Sequence, residues 1–176
     1  MFKSVWMRAS MVPAAAICMF LGAAASASAN PFSTAGWARV DSPGGNFTVM
    51  MPGAPTLQTP TETVQQGPVA VHAYVFRDST GEAYGVSYRD YPFQLVPGNL
   101  DEIKNSQLKN GQMIVTTGVT VGGRSGNLNT FTLNGQTWVT ENFIAGSRLY
   151  QVIYIGTNLG AATHATQFIK SFQFTN

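Results

Sequence analysis

The stretch from Asn127 to Ile155, NLNTFTLNGQTWVTENFIAGSRLYQVIYI, decides the fold. It contains three runs rich in β-branched and aromatic residues, and the dipeptides Asn134-Gly135 and Gly146-Ser147 separate them. Such dipeptides favour two-residue hairpin turns, because Gly and Asn adopt positive φ at low cost. The stretch therefore predicts a three-stranded antiparallel meander. Its predicted strands are Asn127–Leu133, Gln136–Ala145 and Arg148–Ile155.

Four further strands are predicted upstream of the meander, and each ends in turn residues. They are Phe47–Met51, Val69–Arg77, Glu82–Tyr91 and Met113–Val121. Both alternating faces of Val69–Arg77 are largely apolar. A strand of this kind is usually covered on both sides, so we expect it to be central in the sheet.

The first predicted helix lies between the strands that end at Tyr91 and begin at Met113. Asn99 is its expected N-cap, and Glu102 occupies the capping-box position three residues later. Lys109 falls in the last turn and Gly111 just beyond it, as the helix dipole and C-cap preferences require.

A second helix is predicted from Ala161 to Phe172, because apolar residues recur there at helical spacing. These residues are Ala161, Ala165, Phe168 and Phe172. Together the elements predict an α+β domain, in which two main helices pack on an antiparallel β-sheet meander.

The N-terminus has the pattern of a cleavable signal peptide. Lys3 and Arg8 precede an apolar run, Met11 to Ala25, and the small residues Ala27-Ser28-Ala29 follow. We expect cleavage between Ala29 and Asn30, or alternatively after Ala27. Residues 1–29 are then the signal, 30–36 a loose lead-in and 37–176 a single domain. A membrane anchor needs about 20 apolar residues, and the run is shorter than that.

Signal removal changes the composition of the mature chain. Cys18, the only cysteine, is lost, and so are Lys3 and Arg8, which leaves eight basic and eight acidic residues. A cysteine-free chain forms no disulfide and offers no thiol nucleophile. Because there is no basic run, we expect no nucleic-acid partner. No later segment could span a bilayer, so we expect a periplasmic or extracellular location.

No motif predicts catalysis, a metal site or a cofactor. The two histidines, His72 and His164, lack the spacing of zinc ligands, and we expect His164 at a solvent-facing helix position. Gly85-Val86-Ser87-Tyr88-Arg89 begins like a nucleophile elbow but has Arg in place of the closing Gly. Gly122-Gly123-Arg124-Ser125-Gly126 has no following helix and is expected to form a plain turn.

The segment Tyr84 to Phe93 is the best candidate for a binding site. Ala83, Gly85 and Ser87 share one strand face, and small residues there leave room for a helix, a ligand or a partner. Helix packing is the expected use of this face, and a groove is the alternative. Tyr and Arg are common anchors of interfaces. The candidate binding residues are Tyr88, Arg89, Asp90 and Tyr91.

The chain also resembles a known group of proteins. The stretch from Phe47 to Pro55, FTVMMPGAP, resembles the F-x-V-x-x-P-G-x-P start of many exported bacterial proteins of uncharacterised role. Arg148 to Val152 looks like their penultimate strand, and Phe168 to Phe172 like their closing helix. The order of elements resembles the PsbP/Mog1-like α-β-α sandwich. The resemblance implies a non-enzymatic binding or assembly factor, and it supplies no catalytic residue.

Two functions are compatible with these observations. The first is an exported, non-catalytic binding or assembly module of the bacterial cell envelope, whose partner is an envelope protein or a small ligand. The alternative is a small periplasmic hydrolase or isomerase that assembles its site from scattered polar residues such as His72, Arg89 and Asp90. The sequence favours a non-catalytic domain over an enzyme.

Overall fold

The computed structural model describes residues 36–109, 111–157 and 161–175, and the predicted signal peptide lies outside them. Within these ranges, no helix has the length and apolar character to cross a membrane. The strands are β1 (Ala38–Ser42), β2 (Phe47–Met51), β3 (Thr56–Gln58), β4 (Thr61–Val64), β5 (Gly67–Arg77), β6 (Ala83–Asp90), β7 (Gln112–Val121), β8 (Arg124–Leu133), β9 (Gln136–Ala145), β10 (Arg148–Gly156) and β11 (Gln173–Phe174). The helices are α1 (Pro97–Gln107) and α2 (Ala161–Ser171).

A large antiparallel sheet forms the centre of the domain, with the strand order β3-β5-β6-β10-β9-β8-β7 and β4 paired beside β5. The meander predicted from the two hairpin dipeptides is present as β8, β9 and β10. Asn134 has a φ of 52° and Gly135 a φ of 75°, the positive values that the turn requires. β8 begins at Arg124, three residues earlier than predicted, because Gly122 and Gly123 alone turn the chain from β7.

One face of the large sheet is covered by α2 and by a small sheet with the order β1-β2-β11. Phe47 of β2, Phe168 of α2 and Phe172, the residue directly after α2, are fully buried there. They pack against the aromatic side chains of β6 and β10, Tyr84, Tyr88, Tyr150 and Tyr154. Burial of Phe168 and Phe172 confirms the predicted packing face of the second helix.

Helix α1 lies against the opposite face of the large sheet, over β8 and β9. It begins at Pro97 with Val96 as N-cap, so the expected N-cap role of Asn99 is wrong. Proline presets the backbone angle of the first helical residue and needs no hydrogen-bond partner there. Asn99 is instead the third helical residue, and its Oδ1 accepts a hydrogen bond from the Val96 backbone N–H at 2.8 Å.

The central position expected for the strand Val69–Arg77 is also wrong. β5 pairs with β6 on one side, and only the short strands β3 and β4 pair with the other. Its valines are buried, whereas His72, Tyr74 and Phe76 on the other face are partly exposed. The most enclosed strand is β10, which has eight buried residues in a row from Leu149 to Gly156. The aromatic rings of β5 pack on neighbouring rings at the rim of the core. This packing explains why both faces of β5 are largely apolar although the strand is not at the centre of the sheet.

Candidate functional site

The four candidate binding residues, Tyr88 to Tyr91, do not form one surface. They lie at the end of β6, where successive side chains point to opposite faces of the sheet. Tyr88 packs in the cluster beneath α2, whereas Tyr91 packs in the cluster with Ile103 of α1. Arg89 and Tyr91 are both buried, and Asp90 is exposed. The structure therefore divides the predicted site into a surface half and a buried half.

The surface half is built on the ring of Tyr88, which is itself buried, with 8% of the residue exposed. His72, its partner in β5, stacks on this ring with the centroids 4.7 Å apart and the planes 14° apart. The Arg148 guanidinium carbon lies 4.7 Å from the centroid of the same ring. A cation at this distance is attracted by the negative face of an aromatic ring. His72, Tyr88, Asp90 and Arg148 are called the Arg148 surface below.

Asp90 and the loop before β2 hold Arg148 in place. Its Nε and Nη2 atoms donate to the two carboxylate oxygens of Asp90, at 2.6 and 2.7 Å, and its Nη1 donates to the Gly44 carbonyl at 2.9 Å. The hydrogen bonds from Arg148 hold the pKa of Asp90 below its usual range, despite partial burial. The guanidinium thus connects β6, β10 and the small sheet through one fixed side chain.

The buried half is built around Arg89. Its Nη1 donates to Oε2 of Glu62, and its Nη2 donates to Oε1 of Gln151. Arg89 and Glu62 are each almost fully buried. Glu62 lies in the short strand β4, which sequence patterns did not predict. The one feature of the sequence that marks this strand is a carboxylate residue, Glu62, between two β-branched residues.

A chain of amide side chains continues from Arg89 across the sheet. Gln151 donates to Oδ1 of Asn142 at 2.9 Å, and Asn142 donates to Oδ1 of Asn127 at 3.0 Å. Gln107 of α1 joins this chain by donating to Asn142 at 3.5 Å and accepting from Thr140 at 3.3 Å. These residues, with Arg89 and Glu62, are called the amide network below. Its members lie on α1 and on the strands β4, β6, β8, β9 and β10, so only the tertiary fold brings them together.

The small side chains of β6 do not line an open groove. Ala83 and Ser87 are buried, and Gly85 is partly exposed. Ser87 stands opposite Gln151 in the β6–β10 register, beside the amide network. This face therefore packs inside the domain.

A second polar cluster lies at the other end of β6, around Glu82. Its Oε2 accepts a hydrogen bond from the Tyr84 hydroxyl at 2.6 Å and lies 3.1 Å from Nδ1 of His164. Burial raises the pKa of Glu82, but the hydrogen bonds from Tyr84 and His164 outweigh it and leave the pKa below its usual range. The side chain of His164 is only 18% exposed and approaches Trp37, so its expected solvent-facing position is wrong.

The positions of His72, Arg89 and Asp90 bear on the alternative that the chain is a hydrolase or isomerase. Arg89 lies on the opposite face of the sheet from His72 and Asp90, and its guanidinium is engaged by Glu62 and Gln151. The three residues therefore do not converge on one reacting centre. Among the described residues, no three His, Cys, Asp or Glu side chains are grouped so that they could hold a metal ion.

Comparison with known proteins identifies the fold. No model of a known protein family matches this chain, and no curated protein does. A solution structure of cyanobacterial PsbP (CyanoP) from Synechocystis sp. PCC 6803 does match, with a TM-score of 0.55 and 12% sequence identity. The match covers 84% of this chain and 98% of the cyanobacterial chain. At this identity the likeness shows the fold alone, and the chain therefore has the α+β fold of PsbP.

Proposed function

We propose that this chain is an exported, non-catalytic binding or assembly module of the bacterial cell envelope, and that it contacts its partner through the Arg148 surface. The signal pattern of residues 1–29 and the resemblance to exported bacterial proteins support export. The fold shared with cyanobacterial PsbP is compatible with a non-catalytic role.

The observation that carries the proposal is the fixed geometry of Arg148. Its hydrogen bonds to Asp90 and Gly44 and its contact with Tyr88 hold the side chain in one conformation while leaving Asp90 half exposed. Preorganised side chains lose little conformational entropy on binding, and Arg and Tyr are common anchors of interfaces. A surface of this type suits a partner that offers hydrogen-bond donors to Asp90 and a flat group to the partly exposed ring of His72.

Co-purification from envelope extracts tests the proposal. The wild-type chain is compared with Asp90→Lys, which reverses the charge at the centre of the Arg148 surface. Asp101→Lys is the matched control, because Asp101 is also an exposed, ion-paired aspartate but lies on α1. We expect the same protein, lipid or glycan to be retained by wild type and Asp101→Lys and lost from Asp90→Lys. Equal retention by all three chains, or retention of nothing, would count against the proposal.

Export is tested separately by intact-mass spectrometry of material from the cell envelope or medium. We expect a mature N-terminus at Asn30 or Ser28. Retention of Met1, or a lipid on Cys18, would contradict the proposed processing without bearing on the Arg148 surface.

A further inference from the structure

The free edge of β7 differs from every other edge strand in the described residues. β7 is ten residues long, pairs only with β8, and stands at the end of the large sheet. It contains no Asp, Glu, Lys, Arg or Pro. Its side chains are exposed along most of its length, including Ile114 at 59% and Val115 at 47%. Long uncharged edges of this kind are templates for pairing with another strand.

The other edges carry features that oppose strand pairing. β1 presents Arg39 and Asp41, which are more than half exposed and ion-paired with each other. β3 has three residues, β4 has four and β11 has two, which is too short for a stable ladder. Charged side chains and short strands are the usual means by which proteins protect sheet edges. The part of β7 from Val115 to Val121 has no charged side chain and is not short, so neither kind of protection is present there.

We propose that β7 is a dimerisation edge. The β7 strands of two copies of this chain pair in antiparallel orientation about a two-fold axis located at Gly118. A second copy suits this edge because the strand is complementary to itself. In a two-fold pair, residues directly opposite must face the same side of the sheet, so their numbers differ by an even number. An axis at Gly118 places Val115 opposite Val121 and Thr116 opposite Thr120 of the second copy. Pairs of β-branched residues and Thr–Thr pairs are favourable across strands.

The β-bulge in β7 fixes the position of this axis. The register with β8 shifts between Met113 and Val115, so Ile114 is the extra residue and the regular strand begins at Val115. The regular part, Val115–Val121, has Gly118 at its midpoint. An axis there pairs all seven residues and leaves the bulge outside the interface. The neutral charge balance, eight basic and eight acidic side chains among the described residues, adds no net repulsion between copies.

Gly118 also provides the test. A Cβ atom added there meets no atom within 4 Å, and the backbone is not in the positive-φ region, so a side chain can be introduced without strain. In the proposed dimer, the two residues at position 118 lie directly opposite each other. Gly118→Lys then places two positively charged side chains directly opposite each other, with their Cβ atoms about 5 Å apart. Gly118→Thr is the matched control, which adds a neutral β-former at the same position.

The oligomeric state of the full chain is measured by sedimentation velocity over a range of concentrations. We expect dimers for wild type and Gly118→Thr, and a dissociation constant at least ~10-fold higher for Gly118→Lys, since like charges directly opposite destabilise strand pairs. Circular dichroism of each variant establishes that the monomer remains folded. A wild-type chain that stays monomeric, or a Gly118→Lys variant that dimerises as Gly118→Thr does, would overturn the proposal.

Disulfide trapping reports on the register independently. In a Cys18→Ser background, Gly118→Cys should form a disulfide-linked dimer, since opposed Cα atoms in antiparallel strands lie about 4.5–5.5 Å apart, within the disulfide range. Thr63→Cys, on the exposed edge strand β4, is the control and should remain unlinked. Equal cross-linking of both variants, or none at Gly118→Cys, would rule out the proposed axis.

Discussion

Arg148 and Asp90 stand directly opposite each other in β10 and β6, and two hydrogen bonds of 2.6 and 2.7 Å join their side chains. A pair with this two-point geometry is the form of surface ion pair that contributes measurably to stability. Arg148 also contacts the Tyr88 ring and the Gly44 carbonyl, so its removal breaks contacts to three parts of the domain.

Arg148→Ala should lower the free energy of unfolding by about 1–2 kcal/mol, the combined range for a two-point ion pair and a cation–π contact at a partly exposed site. Urea unfolding measures the change. Arg39→Ala is the control, because Arg39 forms an ion pair with Asp41 in which both side chains are more than half exposed. Its effect should be below about 0.5 kcal/mol. Equal losses from the two variants would contradict the anchoring role of Arg148.

Phe168→Ala should lower the free energy of unfolding by about 3–5 kcal/mol, the usual cost of removing a buried aromatic side chain. Phe168 is fully buried, and its ring meets that of Tyr84 edge-on at 5.4 Å. Thr166→Ala, an exposed position on the same helix, is the control and should change stability little. A thermal melt of Phe168→Ala that matches wild type would show that α2 does not pack through this residue.

Seven of the eleven described strands and the packing of α2 were predictable because their signals are local, whereas β1, β3, β4 and β11 were not predicted. The Asn134-Gly135 dipeptide specifies a turn through its own backbone preferences, and the spacing of Phe168 and Phe172 specifies a helix face. The register of distant strands has no such local signal. Asp90 meets Arg148, 58 positions later, only because β6 and β10 become neighbours.

The errors at the first helix and at β5 have specific physical causes. Asn99 is a good capping residue, but Pro97 two positions earlier already sets the start of the helix, and Asn99 caps from inside it. The apolar pattern of β5 arises from aromatic rings that pack at the rim of the core, such as His72 on Tyr88 and Tyr74 on Phe47. Apolar residues on both faces of a strand do not distinguish a central strand from a rim of stacked rings.

Glu141 is a buried carboxyl group whose protonation should make stability depend on pH. It stands between Leu128 of β8 and Val152 of β10, and its Oε2 atom has no hydrogen-bond partner among the described residues. Burial raises the pKa of Glu141 to about 7. The folded chain therefore retains this proton up to about pH 7, whereas the unfolded chain releases it near the ordinary value of 4.5. Because the folded state binds more protons in this window, stability falls as pH rises through it.

Glu141→Gln should remove this dependence. The variant should be more stable than wild type above about pH 7, by up to about 3 kcal/mol, and the difference should shrink to near zero below about pH 4. Denaturant unfolding of both chains at the two pH extremes measures it. A difference that is the same at both extremes would show that folding does not raise the pKa of Glu141.

Arg89 and Glu62 form a buried ion pair in which each residue requires the other. Both side chains are almost fully buried, and the Nε atom of Arg89 and the Oε1 atom of Glu62 lack partners in the described part of the chain. Removing one member leaves a buried charge without its counterion, which typically costs about 3–5 kcal/mol. Arg89→Met and Glu62→Gln should each show a loss of this size in urea unfolding.

The double variant distinguishes a buried pair from two independent packing defects. If the charges compensate each other, Arg89→Met combined with Glu62→Gln should be less destabilised than the two single losses added together, with a coupling of about 1–3 kcal/mol. Gln151→Ala, which removes only the neutral partner of Arg89, should couple more weakly to Glu62→Gln than Arg89→Met does. Strictly additive losses for Arg89→Met and Glu62→Gln would mean that Arg89 is held without help from Glu62.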